Sequence, residues 1–335
     1  MADTTSQVRA ATTSRVSGLK RFTLEAGPLI ALVALVSVFG VASSTFLTLG
    51  NISILLTQIS ILLVVGIGLT FVILLGSIDL SVEGVMATSS LVFVLLASND
   101  RNAADLGYLA ALVGVLTGTV FGLVNGLLHV RLGIPSFMVT LGTGAIGVGV
   151  ATVLFGGRAP QLLDTGLRRW GVGSSLGVSN LVFVALAAVI VAHLVQRYTR
   201  VGRYGYVIGG DELVARLSGI DIGRYKIYTF MLSGTTAGLA GVMAATQLGV
   251  GDTSIGGGLL FTAITAVVLG GTLLVGGRGS VLRTLIGAGI ITVLANGLIL
   301  TGVNPYVQTA VQGLAIVLAV VATGWSLRRR VRVVK

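Results

Sequence analysis

Apolar residues run along this chain in long unbroken stretches, and the charged residues gather in the short gaps between them. A hydrocarbon layer of about 30 Å takes a helix of about 20 residues, and within it only helices and closed barrels satisfy their own backbone groups. The stretches are continuous rather than alternating and rich in Leu, Ala, Val and Gly, so helices are the expected element. Spans are predicted at 27–45, 52–75, 84–98, 106–128, 135–156, 179–196, 227–247, 259–275, 281–301 and 307–324. The pattern therefore predicts an all-α integral membrane protein of about ten transmembrane helices. A polar tail, 1–26, precedes a transmembrane domain, 27–324, and a basic tail, 325–335, follows it.

Composition agrees. The 335 residues are 54% hydrophobic and 10% charged, with mean hydropathy +1.00, whereas a soluble domain carries about a quarter charged residues. The net charge of +11 does not point to nucleic acid, because the basic residues are not interleaved with aromatics on a polar face. They sit at span ends, where they set orientation. All but four of the 22, namely Arg101, Arg158, Arg168 and Arg169, fall on one side, together with both termini. That side is predicted to be cytoplasmic, with the loop 157–178 a structured external segment.

Several chemistries are excluded. There is no cysteine, and the two histidines, His129 and His193, stand far apart, so no metal site is expected. No G-x-x-x-x-G-K-[ST] occurs, and the lysines are Lys20, Lys226 and Lys335 alone, so ATP cannot bind here through a P-loop. Gly142, Gly144 and Gly147 match a dinucleotide pattern, but within a membrane span rather than between a strand and a soluble helix. No catalytic residue and no cofactor are expected on this chain.

Two short patterns recur at nearly one offset. Gly76, Asp79 and Ser81 repeat as Gly249, Asp252 and Ser254, 173 positions on, each copy following a long span. Asn125-Gly126-Leu127, with Pro135 beyond it, repeats as Asn296-Gly297-Leu298 with Pro305. Five spans lie between copies. An odd number of helices per half inverts the second half relative to the first, so two inverted pseudo-symmetric halves with interrupted half-helices are predicted. Gly114, Gly118, Gly122 and Gly126 stripe the fourth span, with Gly234 and Gly238 on the seventh. Spaced this way, small residues let helix backbones pack closely.

The candidate path residues are Asp79, Ser81, Glu83, Asn125, Thr140, Gln247, Asp252 and Asn296. An Asp at the membrane centre costs about 2.5–3.5 kcal/mol on insertion scales, so something must offset it. In one reading Asp79 and Ser81 cap a half-helix beginning at Leu80 beside a transport path; in the other they cap it at the cytoplasmic interface, away from solute. The polar side chains within spans either meet a hydroxylated solute or bond helix to helix.

The stretch 197–226 is too long for a simple connector. Gly209, Gly210, Asp211, Glu212, Ala215, Arg216, Leu217, Ser218 and Gly219 form a short helical element within it. Its acids lie in the first turn, and Leu213, Leu217 and Ile220 share a face. Such an element suits a groove on another protein; the alternative is a helix lying on lipid, to which a single basic residue contributes little.

With these residues in place, the chain resembles the permeases of bacterial ATP-binding-cassette (ABC) importers for monosaccharides, the group of the ribose, xylose, arabinose and galactoside permeases. Four stretches carry the resemblance: 76–82 (GSIDLSV), 134–143 (IPSFMVTLGT), 206–220 (YVIGGDELVARLSGI) and 266–287 (AVVLGGTLLVGGRGSVLRTLIG). Neighbouring amino-acid permeases share part of the last two. The resemblance implies an inner-membrane protein acting with a second permease copy, alike or homologous, with a separate ATPase that binds ATP and Mg, and with a periplasmic solute-binding protein. It implies that 209–219 docks into that ATPase. The chain departs from the family pattern in three places: Glu83 stands where Gly is usual, Asp211 where Asn is usual, and the pair Phe261 and Thr262 where an acid is usual. A secondary transporter or channel driven by an ion gradient is the reading from a different class.

Overall fold

In a computed structural model of the protein, residues 26–304 are described, together with 306–308, 310–315, 317, 318 and 321. The expected tail 325–335 and nearly all of the tail 1–26 lie outside the described residues.

The first helix, α1, covers Ala26–Ala42. It is followed by α2 (Leu49–Leu74), α3 (Val82–Leu96), α4 (Tyr108–Leu132) and α5 (Ser136–Phe155). A connecting region holds α6 (Thr165–Val172) and a two-stranded hairpin, β1 (Ser174–Ser175) and β2 (Val178–Ser179). Next come α7 (Asn180–Tyr198), α8 (Arg200–Gly210), α9 (Glu212–Leu217), α10 (Ile222–Leu248), α11 (Leu259–Leu269) and α12 (Val281–Leu300). The described residues between 306 and 321 are helical as well.

Six helices, α2, α4, α5, α7, α10 and α12, are long and apolar enough to cross a membrane; α1, α3 and α11 are shorter. At 1.5 Å per residue, α3 reaches about 22 Å and α11 about 16 Å, short of the hydrocarbon thickness. Each follows one of the two G-x-x-D-x-S stretches, which are extended or turned rather than helical. Both stretches open on a glycine of positive φ, Gly76 at 74° and Gly249 at 77°, a conformation that ends the preceding helix and that side chains rarely adopt. The order of a long helix, a break, a short helix and a long helix thus occurs twice.

At the centre lie α2 and α10. Every residue of α2 from Leu62 to Leu74 is buried, the mark of a helix surrounded by others. The most intimate pairing is α4 with α10. A Cβ on Gly118 or Gly122 would strike the backbone of Gly234 or Phe230, and one on Gly126 would stand 2.8 Å from the Ile227 Cα. The glycine stripe therefore brings two backbones together, as its spacing predicts. On one flank α5 packs on α3; on the other α11, α12 and α7 pack around α2.

Three expectations are corrected. The eighth span, expected over 259–275, ends as helix at Leu269, because Gly270 lies flat against the Arg283 carbonyl and Gly271 turns to φ 92°. In the stretch 197–226, α9 is the short helix expected there, but α8 precedes it and α10 begins already at Ile222 rather than at 227. The half-helix expected from Leu80 begins instead at Val82.

Candidate functional site

The first break is held by hydrogen bonds from three helices. Backbone amides in a non-helical stretch need partners when no water is at hand. Ile78 N–H donates to Ser136 Oγ at 3.1 Å and Leu80 N–H to Thr140 Oγ1 at 2.9 Å, both hydroxyls on α5. The carboxylate of Asp79 is 1% exposed. Its Oδ1 accepts from Ser81 N–H at 2.9 Å and Ser81 Oγ at 2.6 Å, and its Oδ2 from Ser233 Oγ on α10 at 2.7 Å. Ser81 Oγ in turn accepts from Asn125 Nδ2 on α4 at 2.9 Å, and Asn125 Oδ1 accepts from Thr143 Oγ1 on α5 at 2.6 Å. The buried charge is thus met by three donors, which offsets its desolvation.

The second break repeats the local geometry. Asp252 Oδ1 accepts from Ser254 N–H at 2.7 Å and Ser254 Oγ at 2.6 Å. The surroundings differ: Ser254 is exposed and Asp252 half-buried, with only its carbonyl approached by Ser90 Oγ, at 3.4 Å.

Between the breaks stands Glu83, in the first turn of α3 and half-buried. Its Oε1 accepts from Gly258 N–H at 3.0 Å and Leu260 N–H at 3.3 Å. These are free amides at the start of α11, where the helix dipole favours negative charge. One carboxylate therefore ties the N-termini of the two short helices together.

The expected path residues do not form one cluster. Asp79, Ser81, Asn125 and Thr140 share the buried network; Glu83 and Asp252 sit at the α3–α11 junction. Asn296 is elsewhere, exchanging two amide hydrogen bonds of 3.0 Å with Asn51 and so fastening α12 to α2. Gln247 lies half-buried at the end of α10 where Gly171 of α6 packs on its backbone. Ser233 and Asn51 escaped sequence reasoning: each is one of several polar residues on its helix, and neither partner lies near it in the chain.

At one end of the bundle α9 projects beyond the long helices. Asp211 caps it, accepting from Leu213 N–H at 2.9 Å and Val214 N–H at 3.0 Å. Glu212 pairs with Lys226 at 3.0 Å and with Arg216 at 3.6 Å. Ala215 is buried in one cluster with Leu75, Ile208 and Ile222, and α9 is seated against α8 and α10. The capping turn closes as Ser218 Oγ donates to the Val214 carbonyl at 2.8 Å and Gly219 N–H to the Arg216 carbonyl at 3.0 Å. The exposed apolar face differs from expectation. Leu213 and Leu217 are on it, at 66% and 80% exposure, but the third member is Val214, while Ile220 turns inward onto the cluster of Leu75, Ile208, Ala215 and Ile222.

The opposite end carries α6, the hairpin and the four minority basic residues. Arg101 Nη1 donates to carbonyls at the end of α5, Arg158 pairs with Asp100, and Arg168 lies against Gly249. Arg169 borders an open groove of about 530 Å³ lined by Tyr108, Trp170, Leu176 and Phe183. The groove touches none of the expected path residues. No cluster able to hold a metal occurs among the described residues.

Residues 51–320 match the profile of the family described as branched-chain amino acid transport system / permease component. The chain belongs to this permease family. The permease is 35% identical over 320 residues to the ribose import permease protein RbsC of Escherichia coli (strain K12), covering 92% of this chain and 98% of that one. It is 37% identical over 296 residues to the ribose import permease of Bacillus subtilis (strain 168), covering 88% and 91%. The D-allose transport system permease protein AlsC of E. coli is 34% identical over 298 residues, covering 88% and 90%. Among solved structures, PsaBC from Streptococcus pneumoniae in complex with Fab aligns with 83% of the permease at TM-score 0.43 and 16% identity. The permease is a multi-pass membrane protein and a transport subunit of its family.

Proposed function

We propose that this permease is the membrane subunit of an ABC importer that moves a monosaccharide or related polyol across the bacterial inner membrane by alternating access. The observation that carries this reading is the end-to-end relationship to permeases named for ribose and D-allose import. Ten spans fit the helix order: the six long helices, the three shorter ones and the helical residues between 306 and 321. The repeated order supports two halves of five, inverted relative to one another, with α3 and α11 as half-helices meeting N-terminus to N-terminus. Both termini and the α8–α9 segment then face the cytoplasm, and α6 and the hairpin face outward. That placement leaves 18 of the 22 basic residues inside.

In this reading, residues 209–219 are the element on which a separate ATPase acts. Leu213, Val214 and Leu217 offer the apolar contact, and Glu212, Arg216 and Lys226 the charged rim. ATP and Mg are bound by that ATPase, a second permease copy completes the path, and a periplasmic solute-binding protein delivers the sugar. Solute passes near the α3–α11 junction, where Glu83 and Asp252 are half-exposed. The Asp79 network is fully buried, so Asp79, Ser81, Asn125 and Thr140 hold the break in shape rather than meet the solute.

A second reading, import of an amino acid, is favoured by the family's description as a branched-chain amino acid transport permease. Import driven by an ion gradient is disfavoured by Asp79, whose three donors leave it no row of titratable partners. Proteoliposomes holding the permease, its ATPase and its binding protein distinguish these readings. ATP-dependent uptake of labelled ribose or allose supports the proposal; uptake of leucine instead, or uptake under an ion gradient without the ATPase, overturns it.

A further inference from the structure

Three stretches far apart in sequence meet at the α9 end of the bundle, and glycine supplies most of the contact. They are the end of α8 (Gly209, Gly210), the turn after α2 (Leu74 to Gly76) and the connector between α11 and α12 (Gly276 to Gly279). Gly277 N–H donates to the Leu74 carbonyl at 2.9 Å, one of the acceptors that a helix end leaves free. A Cβ on Gly209 would overlap that same carbonyl and lie 2.6 Å from Gly277 N. On Gly276 it would lie 2.8 Å from Gly76 N and 3.0 Å from the Gly209 Cα; on Gly277, 2.9 Å from the Gly210 Cα. Backbone therefore rests directly on backbone.

Two further bonds tie the same connector to the arm that carries α9. Tyr206 Oη, on α8, donates to the Gly279 carbonyl at 2.7 Å. Val281 N–H, opening α12, donates to the Gln196 side-chain carbonyl on α7 at 3.1 Å. Burial pushes the Tyr206 phenol above its ordinary range, the Arg283 charge pulling the other way, so the hydroxyl keeps its proton and remains a donor.

The placement has a mechanical meaning. The turn after α2 leads through residues 77–81 into α3, and the connector joins α11 to α12. A shift of α8 and α9 reaches both half-helices through one joint. Side chains at such a joint would absorb a small shift by changing rotamer; glycine backbones in contact have no rotamers and must move together.

We propose that Gly209, Gly276, Gly277 and the Tyr206 hydroxyl form the joint that transmits movement of the α9 segment to the half-helices α3 and α11. They are positioning residues for coupling: they pack on the bundle side of the arm that carries α9, against Leu74, Gly76 and Gly210, and act through the helices they join. The inference rests on the coupling role assigned to α9 above.

The test uses the full complex in proteoliposomes, with Tyr206→Phe and Gly276→Ala, and Gly205→Ala as the control. Gly205 is on α8 with open space where a Cβ would stand. Three quantities are read: co-purification of the ATPase, ATP hydrolysis, and labelled ribose moved per ATP hydrolysed. Both joint variants are expected to retain the ATPase and hydrolyse ATP within about twofold of wild type, while ribose moved per ATP falls about fivefold, the scale of a typical coupling energy. Gly205→Ala is expected to match wild type. The joint is overturned if ribose per ATP is unchanged in both variants, or if ATPase association falls in step with transport. Failure of the underlying coupling reading looks different: Leu217→Glu, on the exposed face of α9, would then leave ATPase association intact.

Discussion

Ser233 on α10 donates its hydroxyl hydrogen to Asp79 Oδ2 at 2.7 Å, across 154 positions of sequence. The bond joins the break before α3 to the middle of α10. Asp79→Ala strands three buried donors, and an unsatisfied buried group costs about 1–3 kcal/mol. Ser233→Ala removes one donor of three. Thermal unfolding of purified protein is expected to show a large loss of stability for Asp79→Ala and a loss of about 1 kcal/mol for Ser233→Ala. Equal effects would mean that the carboxylate finds other partners.

Glu83 separates charge from hydrogen bonding at the start of α11. Glu83→Gln keeps an acceptor for Gly258 N–H and Leu260 N–H but removes the negative charge from the helix terminus, a loss of about 0.3–1 kcal/mol. Glu83→Ala removes both and is expected to cost about 1–2 kcal/mol more. Unfolding midpoints in detergent should therefore rank wild type, Gln, then Ala.

The α9 face predicts an association defect without a folding defect. Leu217→Glu places a charge on an exposed apolar residue and should weaken ATPase co-purification by about tenfold or more, as for a central interface residue. Glu212→Lys with Arg216→Glu reverses the charged rim and sets a lysine opposite Lys226. Transport is expected to fall while membrane insertion, read by protease protection, is unchanged.

Where α4 meets α10 there is no room for a side chain. Gly122→Val would drive two methyl groups into the Phe230 carbonyl and should cost more than about 3 kcal/mol or abolish accumulation, beyond ordinary overpacking. Gly142→Ala, on α5 with open space around it, is expected to match wild type in both yield and unfolding midpoint.

Much of this architecture was legible because its signals are local. A run of apolar residues names a span, and Gly-x-x-Asp-x-Ser specifies a helix stop followed by a carboxylate turning onto its own serine, as both copies do. The glycine stripe on α4 signalled a close backbone contact because its period matches one helix face, although the partner, α10, came from the structure. What escaped was non-local or masked by composition. Nothing near Asp79 announces Ser233, and nothing near Asn296 announces Asn51. In α8 the glycines at 202, 205, 209 and 210 obscured the helical period, although Tyr204 and Ile208 pack inward at i, i+4. The early end of α11 was readable in Gly270-Gly271, which an apolar continuation through Val275 outweighed. Among the expected path residues, polarity in an apolar setting marked a hydrogen bond each time for Asp79 in the break and for Asn125, Thr140 and Asn296 within spans, but could not say whether the partner was another helix or a solute.

Coupling requires α9 to face the cytoplasm, where a different polypeptide pushes it. The chain has no cysteine, so Leu217→Cys introduces a single thiol on the exposed face of α9. A membrane-impermeant maleimide applied to intact spheroplasts and to inverted vesicles reads its side. The predicted result is labelling in inverted vesicles alone, reduced when the ATPase is bound. Labelling in intact spheroplasts would place α9 outside and contradict the account.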